Sequence, residues 1–219
     1  MAIKVLISGY ENTGKTTLIS KIKDALIVNC DSKEFSAQVM HTNFTKWEGL
    51  KSFTDFCNEK IKAYKEKTKS LPKYLVIDTI SQLYMQLVRW NSEHYRGFDI
   101  HTNNNQDTLA INTYFEKLID KDISIIIVSH TMVDADTGKH IIPAQGQFQK
   151  VGSWLSIVNE AIFIERSPDI HRVWLKTDKF PVRSLVEQPN EFIVFGEFDI
   201  NEYLSKITAN KDEANKFRL

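Results

Sequence analysis

Arginine, cysteine and surplus charge are all scarce in this chain. Six arginines stand against 22 lysines, and 28 basic residues balance 28 acidic ones over 219 positions. That balance excludes the simplest nucleic-acid signature, a strongly basic chain, although not a local basic face. With so few arginines, a site built on clustered guanidinium forks is poorly supplied. Cys30 and Cys57 are too few for a disulfide scaffold, and no histidine spacing meets either, so both are expected as reduced thiols and zinc is not expected. Long apolar runs are missing as well. The most apolar stretch, Ile123 to Ser129, is far shorter than the roughly 20 residues that cross a bilayer. The run Met1 to Ser8 is too short for a signal-peptide core. No membrane partner is expected, and the expected location is the cytoplasm.

Apolar residues make up 42% of the chain and charged residues 26%, which suits one globular domain with a real core. No internal repeat or low-complexity linker divides it. We assign one domain over residues 1–208 and a polar C-terminal tail, 209–219, expected to fray from about Ala209.

Residues 3–8 form an expected buried strand, Gly9 to Gly14 a loop, and Lys15 to about Asp24 a helix. A second apolar run spans Ala25 to Cys30. Leu50, Phe53, Cys57, Ile61 and Tyr64 recur at spacings of 3 and 4, predicting an amphipathic helix from Trp47 to about Lys67. Tyr74 to Ile77 is a strand closing on Asp78, followed by a helix from Ile80 to about Trp90. Arg96 to Asp107, with Gly97 and three consecutive asparagines, is expected as a polar loop before a helix over Leu109 to Ile119. The strand Ile123 to Ser129 precedes a second long loop, Met132 to about Gly152. A short helix, strands near 161–165, 171–176 and 192–195, and a helix capped by Asp199 complete the pattern. Alternating strands and helices imply an α/β fold with a mainly parallel sheet, helices on both faces, and antiparallel strands toward the C-terminus.

One segment carries specific chemistry. Gly9-Tyr10-Glu11-Asn12-Thr13-Gly14-Lys15-Thr16 fits G-x-x-x-x-G-K-[ST] at every fixed position, and Thr17 continues into the helix. The glycines let backbone N–H groups converge on phosphates, Lys15 reaches the β- and γ-phosphates, and the Thr16 hydroxyl ligates Mg²⁺. A chance match is expected in roughly one chain in a hundred of this length, and here the motif also follows a strand and opens a helix. ATP and Mg²⁺ are the expected ligands. Mg²⁺ needs a second anchor at a neighbouring strand end, and Asp78 is that acid; its competing reading is a helix cap.

The GTPase motifs are missing. Asp78 runs into Thr79-Ile80-Ser81 without glycine, and Leu175-Lys176-Thr177-Asp178 lacks the asparagine that reads guanine. A small-molecule kinase usually needs an arginine-bearing lid, which scattered arginines serve poorly. Tyr74-Leu-Val-Ile-Asp78-Thr-Ile-Ser81 and Ile125-Ile-Ile-Val-Ser129-His130 resemble the metal-binding and sensor strands of the RecA-like ATPase core. The stretch from His130 through Asp134-Ala-Asp-Thr-Gly138-Lys139 to Ile162-Phe-Ile-Glu165 is especially similar to phage single-domain ATPases of the Sak group, which act in single-strand annealing and recombination.

That resemblance, over roughly residues 3–185, implies further roles. An acid after the second strand would activate water: Asp31 stands about there, with Glu34 its rival, where RecA-like proteins commonly carry glutamate. His130 would sense the γ-phosphate, or else it merely ends a strand. Lys176 and Lys179 resemble lysines inserted into a neighbouring subunit's site, which requires a homo-oligomer, a ring or filament; otherwise they are exposed strand-end lysines. The two long segments, 93–107 and 133–152, would line a path for single-stranded DNA. The first carries His94, Tyr95, Arg96, Phe98 and His101, the second Lys139, His140, Phe148 and Lys150, cations among rings that suit phosphates and bases. Intervening acids leave a plain surface loop as the other reading. Six lysines against two glutamates over 59–73 mark a third basic patch or a solvated helix face. The resemblance thus implies an ATPase acting on single-stranded DNA; the alternatives are a small-molecule kinase and an ATP-switched partner-binding module such as a helicase loader.

Overall fold

Continuous β-branched runs, rather than alternating ones, are what a strand needs when both its faces are covered. The computed structural model, which describes residues 1–31, 34–35, 38–143 and 153–216, shows this arrangement. Ten strands and six helices are described: β1 (Lys4–Gly9), α1 (Lys15–Ile19), β2 (Ala25–Asn29), β3 (His41–Asn43), α2 (Leu50–Thr68), β4 (Tyr74–Asp78), α3 (Ile80–His94), α4 (Phe98–Ile119), β5 (Ser124–His130), β6 (Met132–Val133), β7 (His140–Ile141), α5 (Ser153–Ile157), β8 (Glu160–Ser167), β9 (Ile170–Trp174), β10 (Phe192–Val194) and α6 (Ile200–Asn215).

Eight strands form one sheet in the order β10-β9-β8-β1-β5-β4-β2-β3. From β8 to β3 the neighbours are parallel, while β9 and β10 add an antiparallel edge. Successive side chains of each central strand enter opposite cores. Leu6, Leu75, Ile77, Ile125 and Ile127 pack with α2, α3, α4 and α5, whereas Val5, Ile7, Val76, Ile126 and Val128 pack with α1 and α6. The expected α/β class, parallel sheet and antiparallel C-terminal extension all hold.

Register brings the strand ends together. Asn29 lies beside Asp78, and Gly9 lies between His130 and Ile164. The carboxyl ends of β2, β4, β1, β5 and β8 therefore form one rim, where open parallel sheets place their ligands.

Several boundaries differ from the sequence expectation. Helix α1 stops at Ile19, because Lys21 and Ile22 bond back three residues, to Leu18 and Ile19, and tighten the last turn. The expected loop 96–107 is instead the first half of α4. Gly97, at φ 55°, separates it from α3, and Asn104, Thr108, Ile111 and Phe115 fall on one buried face. Asn91 of α3 donates to Asn104 Oδ1 at 2.9 Å and to Asp107 Oδ2 at 3.1 Å, so polar pairing replaces apolar packing there. The second loop begins as a hairpin, β6 on β7, and residues 144–152, with Phe148 and Lys150, lie outside those described. Helix α6, capped by Asp199 through the N–H groups of Asn201 and Glu202, continues past Ala209 to Asn215, and Lys211 there donates to the Ala2 carbonyl.

Candidate nucleotide site

The rim holds an open cleft of about 1280 Å³. Its floor is the loop after β1. Gly14 has φ 95° and Asn12 φ 58°, which curl the backbone, and Thr13 Oγ1 closes the turn by donating to Tyr10 O at 2.9 Å. Gly14 has little room above it: a Cβ there would meet Phe195 at 3.0 Å and His171 Nε2 at 3.4 Å. These two rings stack at 3.8 Å between centroids, and His171 Nε2 lies 2.9 Å from Thr13 O. The antiparallel extension therefore braces the loop from outside.

Lys15 is buried, and its ammonium donates to the carbonyls of Gly9, at 2.9 Å, and Tyr10. Burial pulls its pKa down to about 8, against the upward pull of Asp78 and Glu11. Thr16 Oγ1 donates to Asp78 Oδ2 at 3.3 Å. Asp78 is itself buried at the end of β4, and burial pushes its pKa up to about 6, opposed by the Thr16 hydrogen bond and by Lys15. The cap of α3 is Thr79, which accepts from Gln82 N at 3.2 Å, so Asp78 is not needed for that task.

The segment after β2 is tied to the same place. Cys30 N donates to Asp78 O at 2.7 Å, Asp31 N to Asn29 Oδ1 at 3.0 Å, and Gln86 Nε2 to Cys30 O at 3.0 Å. Asp31 and Glu34 consequently both line the cleft. His130 lines it from the end of β5, the strand between β1 and β4. Its N–H donates to Ser81 Oγ at 3.1 Å and its carbonyl accepts from Ser129 Oγ at 2.9 Å.

The structure thus gathers Glu11, Asn12, Thr13, Gly14, Lys15, Thr16, Thr17, Asp31, Glu34, Asp78 and His130 around one space. It does not bring Lys176 and Lys179 there within one chain. The backbone N–H of Lys176 donates to Glu191 O, and Lys179, largely exposed, lies 3.9 Å from Glu165. Asn29, Phe35, Thr79, Gln82 and Arg166 also line the cleft, and no local pattern in the sequence marks them. Arg166 stands two residues beyond Ile164, the strand partner of Gly9, a relation visible only in the register.

Among the described residues no cluster of three or more His, Cys, Asp or Glu side chains suits a metal by itself. One hydroxyl and one carboxylate beside a phosphate loop do suit Mg²⁺, which binds through few protein oxygens and completes its shell with phosphate and water. Phosphate loop, buried acid and polar strand end define a P-loop nucleoside triphosphatase fold.

Residues 1–179 match the AAA domain family (AAA_24). The chain belongs to that family. No curated protein matches the sequence. Among solved structures, a KaiC-like protein, PH0186 from Pyrococcus horikoshii OT3, is similar at 14% identity and a TM-score of 0.47, over 88% of this chain and 89% of that one. No helix among the described residues is long and apolar enough to cross a membrane.

Proposed function

We propose that the protein binds ATP with Mg²⁺ in the loop from Gly9 to Thr17, hydrolyses it, and acts on single-stranded DNA as a homo-oligomer in recombination or annealing of the phage type. The observation that carries the ATPase reading is the convergence of Lys15, Thr16, Asp78 and His130 at one rim, from three parallel strand ends. Bound Mg²⁺ would be held by Thr16 and Asp78 and would offset phosphate charge. Lys15 exchanges the Gly9 and Tyr10 carbonyls for phosphate oxygens. Asp31, or Glu34, accepts the proton of the attacking water, and His130 orients that water or senses the terminal phosphate.

Support for DNA comes from the α3–α4 corner. Phe98 is 81% exposed, and its ring lies 6.4 Å from that of His101. Arg96 precedes it in sequence, and rings beside cations suit a single strand. Lys176 and Lys179, outside their own cleft, have the exposure that a role in a neighbour's site requires. Asp31, shorter than the usual glutamate, favours a second reading: an ATP-switched module, such as a helicase loader, that turns over slowly.

ATPase rates with and without single-stranded DNA, together with anisotropy of a labelled strand across a salt series, test the proposal. Stimulated turnover and salt-sensitive binding are expected. Absence of DNA binding at low salt with ATP ends the DNA claim, while phosphate transfer to a small acceptor on thin-layer plates points to a kinase. Partial activity from mixing Lys15→Ala subunits with Lys176→Ala/Lys179→Ala subunits supports shared sites.

A further inference from the structure

We infer that Arg166 is the second cation of the nucleotide site: it contacts the terminal phosphate of ATP from within the same chain and stabilises the charge that develops there on hydrolysis. This rests on the ATPase reading above. The cleft is lined by four carboxylates, Glu11, Asp31, Glu34 and Asp78, against one lysine, Lys15, and one arginine, Arg166. A triphosphate adds further negative charge to this surplus, so the second cation lining it matters.

Arg166 is placed by the sheet. Ile164 pairs with Gly9, so β8 runs on alongside the point where β1 gives way to the phosphate loop. The next side chain, Glu165, goes elsewhere: it accepts from Trp174 Nε1 at 2.8 Å and faces Lys179. Arg166 turns to the loop, and its Nη1 donates to Asn12 O at 3.2 Å. Its other N–H groups have no acceptor among the described residues. The remaining described arginines are differently committed: Arg89 to Glu93, Arg96 and Arg183 to backbone carbonyls, and Arg172 over the Phe192 ring at 4.1 Å.

The guanidinium fork explains why arginine stands here. One arm holds the Asn12 carbonyl while the others remain available to phosphate oxygens, which a lysine ammonium does less well. In the reaction, a water oxygen bonds to the γ-phosphorus as the bond to the β–γ bridging oxygen breaks. ADP leaves with that electron pair, and the water proton passes to the base. Arg166 lies near the end of β8, on the far side of β1 from β5 and β4, which carry His130 and Asp78. Each chain then carries its own charge stabiliser, whatever Lys176 and Lys179 do for a neighbour.

The test compares wild type, Arg166→Ala and Arg166→Lys for binding of fluorescent ATP and ADP analogues and for single-turnover hydrolysis with Mg²⁺. Arg166→Ala is expected to keep ADP affinity within about twofold, weaken ATP selectively, and slow hydrolysis by about 10²–10³-fold. Arg166→Lys should restore little, and millimolar guanidinium should partly rescue Arg166→Ala. Equal loss of ATP and ADP affinity overturns the inference, because it assigns Arg166 only to propping Asn12. A competent wild type with an indifferent Arg166→Ala overturns it alone; a wild type that binds neither nucleotide overturns the ATPase reading as well.

Discussion

Thr16 Oγ1 donates to Asp78 Oδ2 across 3.3 Å, joining the helix after the phosphate loop to the end of a strand 62 residues away. The bond puts both oxygens where one Mg²⁺ would be held. It favours the ionised form of a carboxylate whose burial favours the protonated one.

The first prediction follows from that conflict. The pKa of Asp78, about 6 in the folded chain, lies above its ordinary 3.8, so the folded state binds this proton more tightly. Stability of the Mg²⁺-free protein should therefore fall as pH rises from about 4 to about 6 and level off above. Asp78→Asn removes the penalty. It should stabilise the ligand-free protein at pH 7 by on the order of 2–3 kcal/mol while abolishing Mg²⁺-dependent turnover. Thermal melts at pH 5 and 7 check the first half and phosphate release with Mg-ATP the second; equal melting points at pH 7 would falsify the stability claim.

Glycine at two loop positions is enforced by different neighbours. A Cβ at Gly9 would sit 2.6 Å from the carbonyl oxygen of Ile164, which the sheet holds in place. At Gly14 the obstacle is the Phe195 ring at 3.0 Å together with the positive φ, which costs about 1–2 kcal/mol for alanine. Gly9→Ala should be the more destabilising in urea titrations, because a backbone group yields less than a ring. Both should lose nucleotide binding.

The polar face of α4 can be tested directly. Asn104→Ala leaves a buried Asn91 donor without its partner and should cost about 1–3 kcal/mol. Amide exchange should accelerate over residues 98–107 while the amides of β4 keep their protection. Unchanged exchange there would mean that the asparagine pair does not hold the helix.

Tyr10 reaches from the phosphate loop to the small hairpin: its hydroxyl lies 2.6 Å from His140 Nδ1. Burial, then Lys179, lower the His140 pKa against the pull of Glu165, which favours the neutral ring. Tyr10→Phe should release the hairpin by about 0.5–1.5 kcal/mol, seen as roughly 2- to 10-fold faster exchange at the Asp134 and Gly138 amides. A nucleotide that rearranges Tyr10 should change the same amides in wild type and not in the variant.

Local pattern alone determined a good deal. Gly9 to Thr16 carries its geometry in its own spacing, and apolar runs such as Leu75 to Ile77 and Ile125 to Val128 are legible because strands covered on both faces admit few polar residues. The place of Asp78 at a strand end marks it beside the phosphate loop, whereas roles for Asp31, Glu34 and His130 follow only from the resemblance to the RecA-like core. The first half of α4 has no apolar period to read, because its buried face carries Asn104, which accepts from Asn91, and Thr108, which donates to the Asn104 carbonyl. Only the tertiary structure decided which strands became neighbours. Placing β8 beside β1 brings Arg166 to Asn12 and the His171–Phe195 stack over Gly14, contacts between residues more than 150 positions apart. Hydrogen-bond register sets such contacts, and register is a property of paired strands that no single segment contains. The scarcity of arginine belongs to the sequence; the position of one of the six against the phosphate loop belongs to the fold.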